Sequence, residues 1–178
     1  MTHERYTDQY ISTILDGVRT IAMVGASAIT NRPSYFAMKY LLGKGYEVTP
    51  VNPTLAGKTI LDRRVYAGLA DVPGPIDMVD IFRNSAAARD VVREAIALKK
   101  RLGIKVIWMQ LGVRNDNAAA EAEAAGLQVV MNRCPKIEYG RLSGEIGWAG
   151  VNAGTISSKR PVLGPRGVQN HVIAGKTR

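Results

Sequence analysis

Residues 20–44, TIAMVGASAITNRPSYFAMKYLLGK, constrain this chain more than any other stretch. Ile21-Ala22-Met23-Val24 is a short unbroken apolar run, as expected of a strand buried on both faces of a parallel sheet. The run stops at Gly25-Ala26-Ser27, small residues that let a ligand come close to the backbone. Pro33 suits the first turn of a helix, and Tyr35, Met38, Leu41 and Leu42 recur at helical spacing behind it. Strand, small-residue turn and helix open a nucleotide-binding βαβ unit, and the N–H groups at such a helix start favour a phosphate.

The turn departs from the dinucleotide fingerprint. G-x-G-x-x-G counted from Gly25 needs glycines where the chain has Ser27 and Thr30. The loop is long, and Arg32 places a guanidinium beside the helix start, where a phosphate would sit. A turn whose small residues serve only helix–sheet packing is the competing reading.

With 178 residues the chain suffices for one α/β domain and falls short of two. Its 46% apolar and 22% charged content is that of a water-soluble globular protein. No apolar run approaches a membrane span, and Met1-Thr2-His3-Glu4-Arg5 has no apolar signal core. One cysteine, Cys134, excludes an internal disulfide and fits a reducing cytoplasm, so a cytoplasmic protein with no membrane partner is expected. The net charge of +9 favours an anionic partner without choosing among nucleic acid, membrane surface and polyphosphate ligand.

Taken in order, residues 7–18 read as an amphipathic helix with Tyr10, Ile11, Ile14, Leu15 and Val18 on one face. Tyr46 to Val51 is the second strand, closing in Asn52-Pro53. A dinucleotide fold carries an acid near that position to hold the ribose hydroxyls, so Asn52 weakens the case for NAD. Residues 54–75 hold Gly57, Gly68, Pro73, Gly74 and Pro75, which predicts a short helix and several turns, with Lys58 as a basic candidate for a phosphate. Ile76 to Phe82 is the third strand, ending in Arg83-Asn84-Ser85: a cation, an amide and a helix cap. A helix carrying Val91, Ala95, Leu98 and Leu102 follows and stops at Gly103.

Ile104 to Met109 is the fourth strand, closing in Gln110-Leu111-Gly112-Val113. An alanine-rich helix over 115–125 leads to the fifth strand, Leu127 to Met131, which runs into Asn132-Arg133-Cys134-Pro135. Five strands alternating with helices predict an α/β fold: a Rossmann-like, doubly wound, five-stranded parallel sheet with every strand-to-helix loop on one edge. The ligand crevice lies where strand order reverses, and the glycine turn after strand one is expected to face Gln110-Leu111-Gly112 across it. Residues 143–178 form a Gly-rich basic C-terminal arm with five basic residues and one acid, net +4. An arm laid over the domain or a neighbouring subunit is the expectation there; without aromatic–basic interleaving, a nucleic-acid tail is not favoured.

Catalytic constellations are missing. His3 and His171 are the two histidines, both near chain ends, and there is no G-x-S-x-G, Walker loop or Cys/His cluster. The residues argue for binding before catalysis, and for no metal.

The set VGAS…RPSY, TPVNP, VDIFR, WMQLGV and NRCPKIEYGRL resembles the small stand-alone CoA-binding proteins. These in turn are similar to the CoA-binding domain of the succinyl-CoA synthetase α subunit and of ADP-forming acyl-CoA synthetases. The likeness runs from about Ile11 to Leu142, so residues 1–142 are expected to form a CoA-binding Rossmann-like domain with its N-terminal helix. The resemblance implies coenzyme A or an acyl-CoA as ligand, bound at the carboxyl edge of the sheet. Gly25, Ala26 and Ser27 with Arg32 take the phosphates in that comparison, and Asn52 and Pro53 line the nucleotide. Phe82, Arg83 and Asn84 match the loop after strand three; Gln110, Leu111 and Gly112 match the loop after strand four. Arg133-Cys134-Pro135 matches an asparagine-cysteine-proline stretch, with Arg133 replacing the asparagine. A mixed disulfide between Cys134 and the CoA thiol and a buried structural cysteine are the two roles open to that thiol.

The phosphorylated histidine of the synthetases lies in a later domain without counterpart here, so the resemblance implies a binding protein, not an enzyme. A second copy of the chain, or an enzyme that handles acyl-CoA, is the macromolecular partner it suggests. The alternative from the residues is an NAD(P)-dependent oxidoreductase of Rossmann type.

Overall fold

The structure is a computed structural model and describes residues 3–145, together with the backbone of 151–152 and 155–156. Contacts divide the chain into two units, one spanning Val18–Cys134 and the other formed by the N-terminal residues up to Gly17 with the chain from Pro135 onward.

The larger unit is built on five parallel strands. They are β1 (Thr20–Val24), β2 (Glu47–Val51), β5 (Met78–Ile81), β6 (Val106–Met109) and β7 (Gln128–Val130), ordered β2-β1-β5-β6-β7. The doubly wound parallel sheet read from the sequence is therefore the fold. Strand β5 and strand β6 have every residue buried, which is why they read as unbroken apolar runs. Met23, Asp80 and Trp108 are partners in register across β1, β5 and β6, so they share one face of the sheet.

Helix α2 (Pro33–Gly43) leaves β1, α3 (Ser85–Leu102) leaves β5, and α4 (Asp116–Ala124) leaves β6. Ala88, Val92 and Ala95 of α3 and Ala118, Ala119 and Ala122 of α4 pack with Val79, Ile81, Ile107 and Val129 into one core cluster. Small residues on α4 let the two helices lie close, and Glu121 accepts from both Arg89 and Arg93 across the gap. Asp77, just before β5, ties three strand starts together. Its Oδ2 accepts from the backbone N–H of Arg19 and Thr20, and its Oδ1 meets Lys105 Nζ at 2.8 Å.

The segment between β2 and β5 holds more order than its turns alone predict. A 3₁₀ turn over Pro53–Leu55 is followed by a hairpin of β3 (Thr59–Ile60) and β4 (Arg63–Arg64). Tyr66 then pairs in parallel with Val51, its N–H donating to Pro50 O at 3.0 Å, and covers the open edge of β2.

In the smaller unit α1 (Asp8–Gly17) and α5 (Pro135–Leu142) pack on each other. Arg141 bridges Asp8 and Glu138, each at 2.8 Å. Beyond them, β8 (Val151–Asn152) and β9 (Thr155–Ile156) pair antiparallel. The rest of the basic arm, His171 included, lies outside the described residues. Among the described residues no helix is long and apolar enough to cross a membrane.

Candidate functional site

Strand order corrects one expectation. The reversal falls between β1 and β5, because β2 lies on one side of β1 and β5 on the other. The turn after β1 therefore faces the loop after β5, residues 82–84, and not the loop after β6, which is one strand further away. Local sequence carries the strands but not their order, since order is decided by which helices can cross which face.

Gly25 records how close that approach is. Its φ is +89°, and a Cβ there would stand 2.3 Å from Phe82 O and 3.1 Å from Arg83 Cδ. Any other residue would be strained in the backbone and would strike the neighbouring loop. Gly25 N donates to Val51 O at 2.9 Å, and Phe82 N donates to Val24 O at 2.8 Å. The carboxyl ends of β2, β1 and β5 are thus laced together at the switch point.

The turn after β1 is shaped by its own polar groups. Ser27 Oγ accepts from Ile29 N at 3.1 Å, and Arg32 N donates to Ile29 O at 3.0 Å. Arg32 has the extended backbone that a following proline demands, and it is the N-cap of α2. No side chain caps that helix, so its positive end stays open to an anion.

Asn52 supports the same turn from β2. Its Nδ2 donates to Ala26 O at 2.8 Å, while its Oδ1 accepts from Thr54 N and Thr54 Oγ1. Both ends of the amide serve the fold, and the exposed Pro53 starts the 3₁₀ turn beside it. On β5 the corresponding side chain is Asn84, whose Oδ1 caps α3 by accepting from Ala87 N at 2.8 Å. The capping residue is Asn84; Ser85, which the sequence offered for that role, instead accepts from Arg114 N.

Two cations stand over this edge. Arg32 and Arg83 are exposed, and neither guanidinium has a partner among the described residues. Arg83 leans on the Gly25 turn through its Cδ, so its charge is carried on the β1 side of the loop.

Further along the edge, Gln110 is 5% exposed and donates through Nε2 to Asp80 Oδ1 at 2.8 Å. Leu111 stands out at 63% exposure, and Gly112, with φ +81°, donates its N–H to Asn132 Oδ1 at 2.8 Å. Arg133 and Cys134 are half-buried. Arg133 O accepts from Trp108 Nε1 at 2.8 Å, and its guanidinium donates to Asn132 O. Asp80 and Asn132 were not singled out as site residues. An acid in the middle of an apolar strand was the available signal for Asp80. Among the described residues no group of three or more His, Cys, Asp or Glu is placed to hold a metal ion.

The family described as "CoA binding domain" matches residues 19–140. An uncharacterized protein of Bacillus subtilis (strain 168), YneT, is 33% identical over 129 residues, which are 72% of this chain and 91% of that one. A hypothetical protein from Pyrococcus horikoshii OT3 has a solved structure with 38% identity and a TM-score of 0.71, covering 80% of this chain and 99% of its own. A dinucleotide-forming acetyl-coenzyme A synthetase of Ca. Korarchaeum cryptofilum shares the fold at 23% identity and a TM-score of 0.54, over 64% of this chain and 25% of its own.

Proposed function

The chain belongs to the CoA-binding domain family, and from that premise we propose that it binds coenzyme A or an acyl-CoA at the carboxyl edge of the sheet, with no catalysis of its own. The observation that carries this reading is the pair of unneutralised guanidinium groups, Arg32 and Arg83, on the two loops that meet at the switch point. Together with the uncapped start of α2 they form a positive cradle for a pyrophosphate and a 3′-phosphate.

In this reading Gly25, Ala26, Ser27, Arg32 and Arg83 meet the phosphates, and Pro53, Phe82 and Leu111 line the remainder of the ligand. Asn52, Asn84, Gln110 and Gly112 hold the loops at the right places, and Arg133 and Cys134 close the far end of the edge. The nicotinamide alternative loses support at Asn52. The acid that holds ribose hydroxyls in dinucleotide folds is replaced there by an amide whose nitrogen is engaged by Ala26 O. A carboxylate at that place would also repel a 3′-phosphorylated ribose.

Catalysis is not assigned because, among the described residues, no groups of the site are arranged as nucleophile and base. His3 is buried in the smaller unit, with Nδ1 within 2.9 Å of Tyr6 Oη. Residues 1–142 constitute the binding domain in this proposal, and 143–178 a basic appendage. A native mass spectrum of gently purified protein tests the ligand: an added mass of coenzyme A or an acyl-CoA is expected. A nicotinamide dinucleotide in its place contradicts the reading.

A further inference from the structure

Asp80 is fully buried on β5, flanked in register by Met23 and Trp108. Its Oδ1 accepts from Gln110 Nε2 at 2.8 Å, and its Oδ2, also buried, has no hydrogen-bond partner among the described residues. Gln110 stands where β6 passes into the turn that Val113 N closes by donating to Gln110 O at 2.8 Å. The Asp80–Gln110 hydrogen bond therefore fixes where that turn starts and how its exposed tip, Leu111, is presented.

Resting on the coenzyme A reading, we propose that Asp80 is a positioning residue for the ligand site, acting through Gln110 on the turn 110–112 and making ligand affinity depend on whether the buried carboxyl is charged. A buried carboxyl with one donor costs less when neutral than when charged, because a bare charged oxygen needs a second donor far more than an unpaired hydroxyl needs an acceptor. Burial pushes Asp80 up to about 7, and the Gln110 hydrogen bond restrains the rise. The neighbouring strands β1 and β6 carry no ionisable side chain; α2 carries Lys39, which is exposed, and the half-buried Tyr35 and Tyr40. Below pH 7 the neutral acid leaves Gln110 in place. Above it, the charged Oδ1 holds Gln110 more strongly, but the charged Oδ2 is satisfied only by drawing in a further donor or water, and admitting one at the foot of the turn moves its start.

The test measures coenzyme A affinity by calorimetry from pH 5.5 to 8.5 for the wild type and for Asp80→Asn. The asparagine keeps an acceptor for Gln110 and cannot ionise, while the ligand's own titrations are common to both proteins and cancel in the ratio. At pH 6 the two should bind alike, and by pH 8.5 the wild type should have lost about three- to tenfold more affinity than the variant. In the ligand-free wild type the amide resonances of Leu111 and Gly112 should titrate with a midpoint near 7, a measurement that stands even if the variant fails to fold. Parallel affinity profiles, or amides that do not titrate between pH 6 and 8, overturn the proposal. A wild type whose amides titrate but which binds no coenzyme A at any pH overturns the functional reading, and with it the ligand role given to Asp80.

Discussion

The side-chain amide of Asn52 donates to the main-chain oxygen of Ala26 at 2.8 Å, so the end of β2 holds the turn that follows β1. The same amide accepts from Thr54 on its other side, which leaves no orientation in which a carboxylate would do the same work. Asn52→Asp should therefore cost about 1–3 kcal/mol, the range for a hydrogen bond replaced by facing acceptors. It should not gain affinity for NAD. Chemical denaturation and a dinucleotide titration of the variant check the two halves, and tight NAD binding by Asn52→Asp would speak for the oxidoreductase reading.

Gly25 makes a sharper case. A methyl at this position meets Phe82 O at 2.3 Å and demands a side chain at φ +89°. The obstacle is backbone, which cannot swing aside as a side chain would. Gly25→Ala should destabilise the fold by about 2–4 kcal/mol and push apart the loops that carry Arg32 and Arg83. Ligand affinity should fall with it. A variant as stable as the wild type would show that the two loops are not held together in solution.

Asp77 is one of the carboxylates that make the fold sensitive to acid. Burial alone would raise its carboxyl, but Lys105, the backbone N–H groups of Arg19 and Thr20 and the Thr20 hydroxyl outweigh it and hold the group at about 2. The folded value lies below the unfolded one of 3.8, so the stability it contributes is present above about pH 4 and lost as pH falls toward 2. That contribution is about 2 kcal/mol. Asp80 runs in the opposite sense: its raised value makes stability fall as pH climbs from about 4 through 7. Denaturation midpoints of Asp77→Asn should be flatter than wild type between pH 4 and 2, and those of Asp80→Asn flatter between about 4 and 7.

Cys134 is half-buried after β7, at the same edge as the proposed ligand. A structural thiol accounts for its place without a covalent role. Cys134→Ser should leave coenzyme A affinity within about threefold, under about 1 kcal/mol. A tenfold loss, or an adduct mass present in the wild type and absent in the variant, would show that the thiol takes part.

The sheet was legible because fully buried parallel strands are short apolar runs separated by glycine-terminated helices, and that pattern survives without tertiary knowledge. The β3–β4 hairpin was not, since two-residue strands such as Thr59–Ile60 have no periodicity to detect. Placing the Gly25 turn opposite residues 82–84 needed the strand order, which no local segment encodes. Asn52 and Asn84 were visible as polar residues at strand ends, but their partners, Ala26 O and Ala87 N, are fixed only once the chain has folded. Asp80 could have been noticed as a charge inside an apolar strand. Its meaning depends on Gln110, thirty residues away.

Calorimetry of coenzyme A and of NAD, on the wild type and on Arg32→Ala, tests the central claim most directly. Coenzyme A brings a pyrophosphate and a 3′-phosphate to the Arg32 and Arg83 side of the edge, whereas NAD brings the pyrophosphate alone. Charge-assisted bonds to phosphate contribute about 1.5–3 kcal/mol each. The account predicts that coenzyme A binds tighter than NAD. It predicts that Arg32→Ala weakens coenzyme A by about ten- to a hundredfold, more at low salt than at high, with ligand-free stability nearly unchanged. NAD binding as tightly as coenzyme A, or Arg32→Ala binding coenzyme A like the wild type, would contradict it.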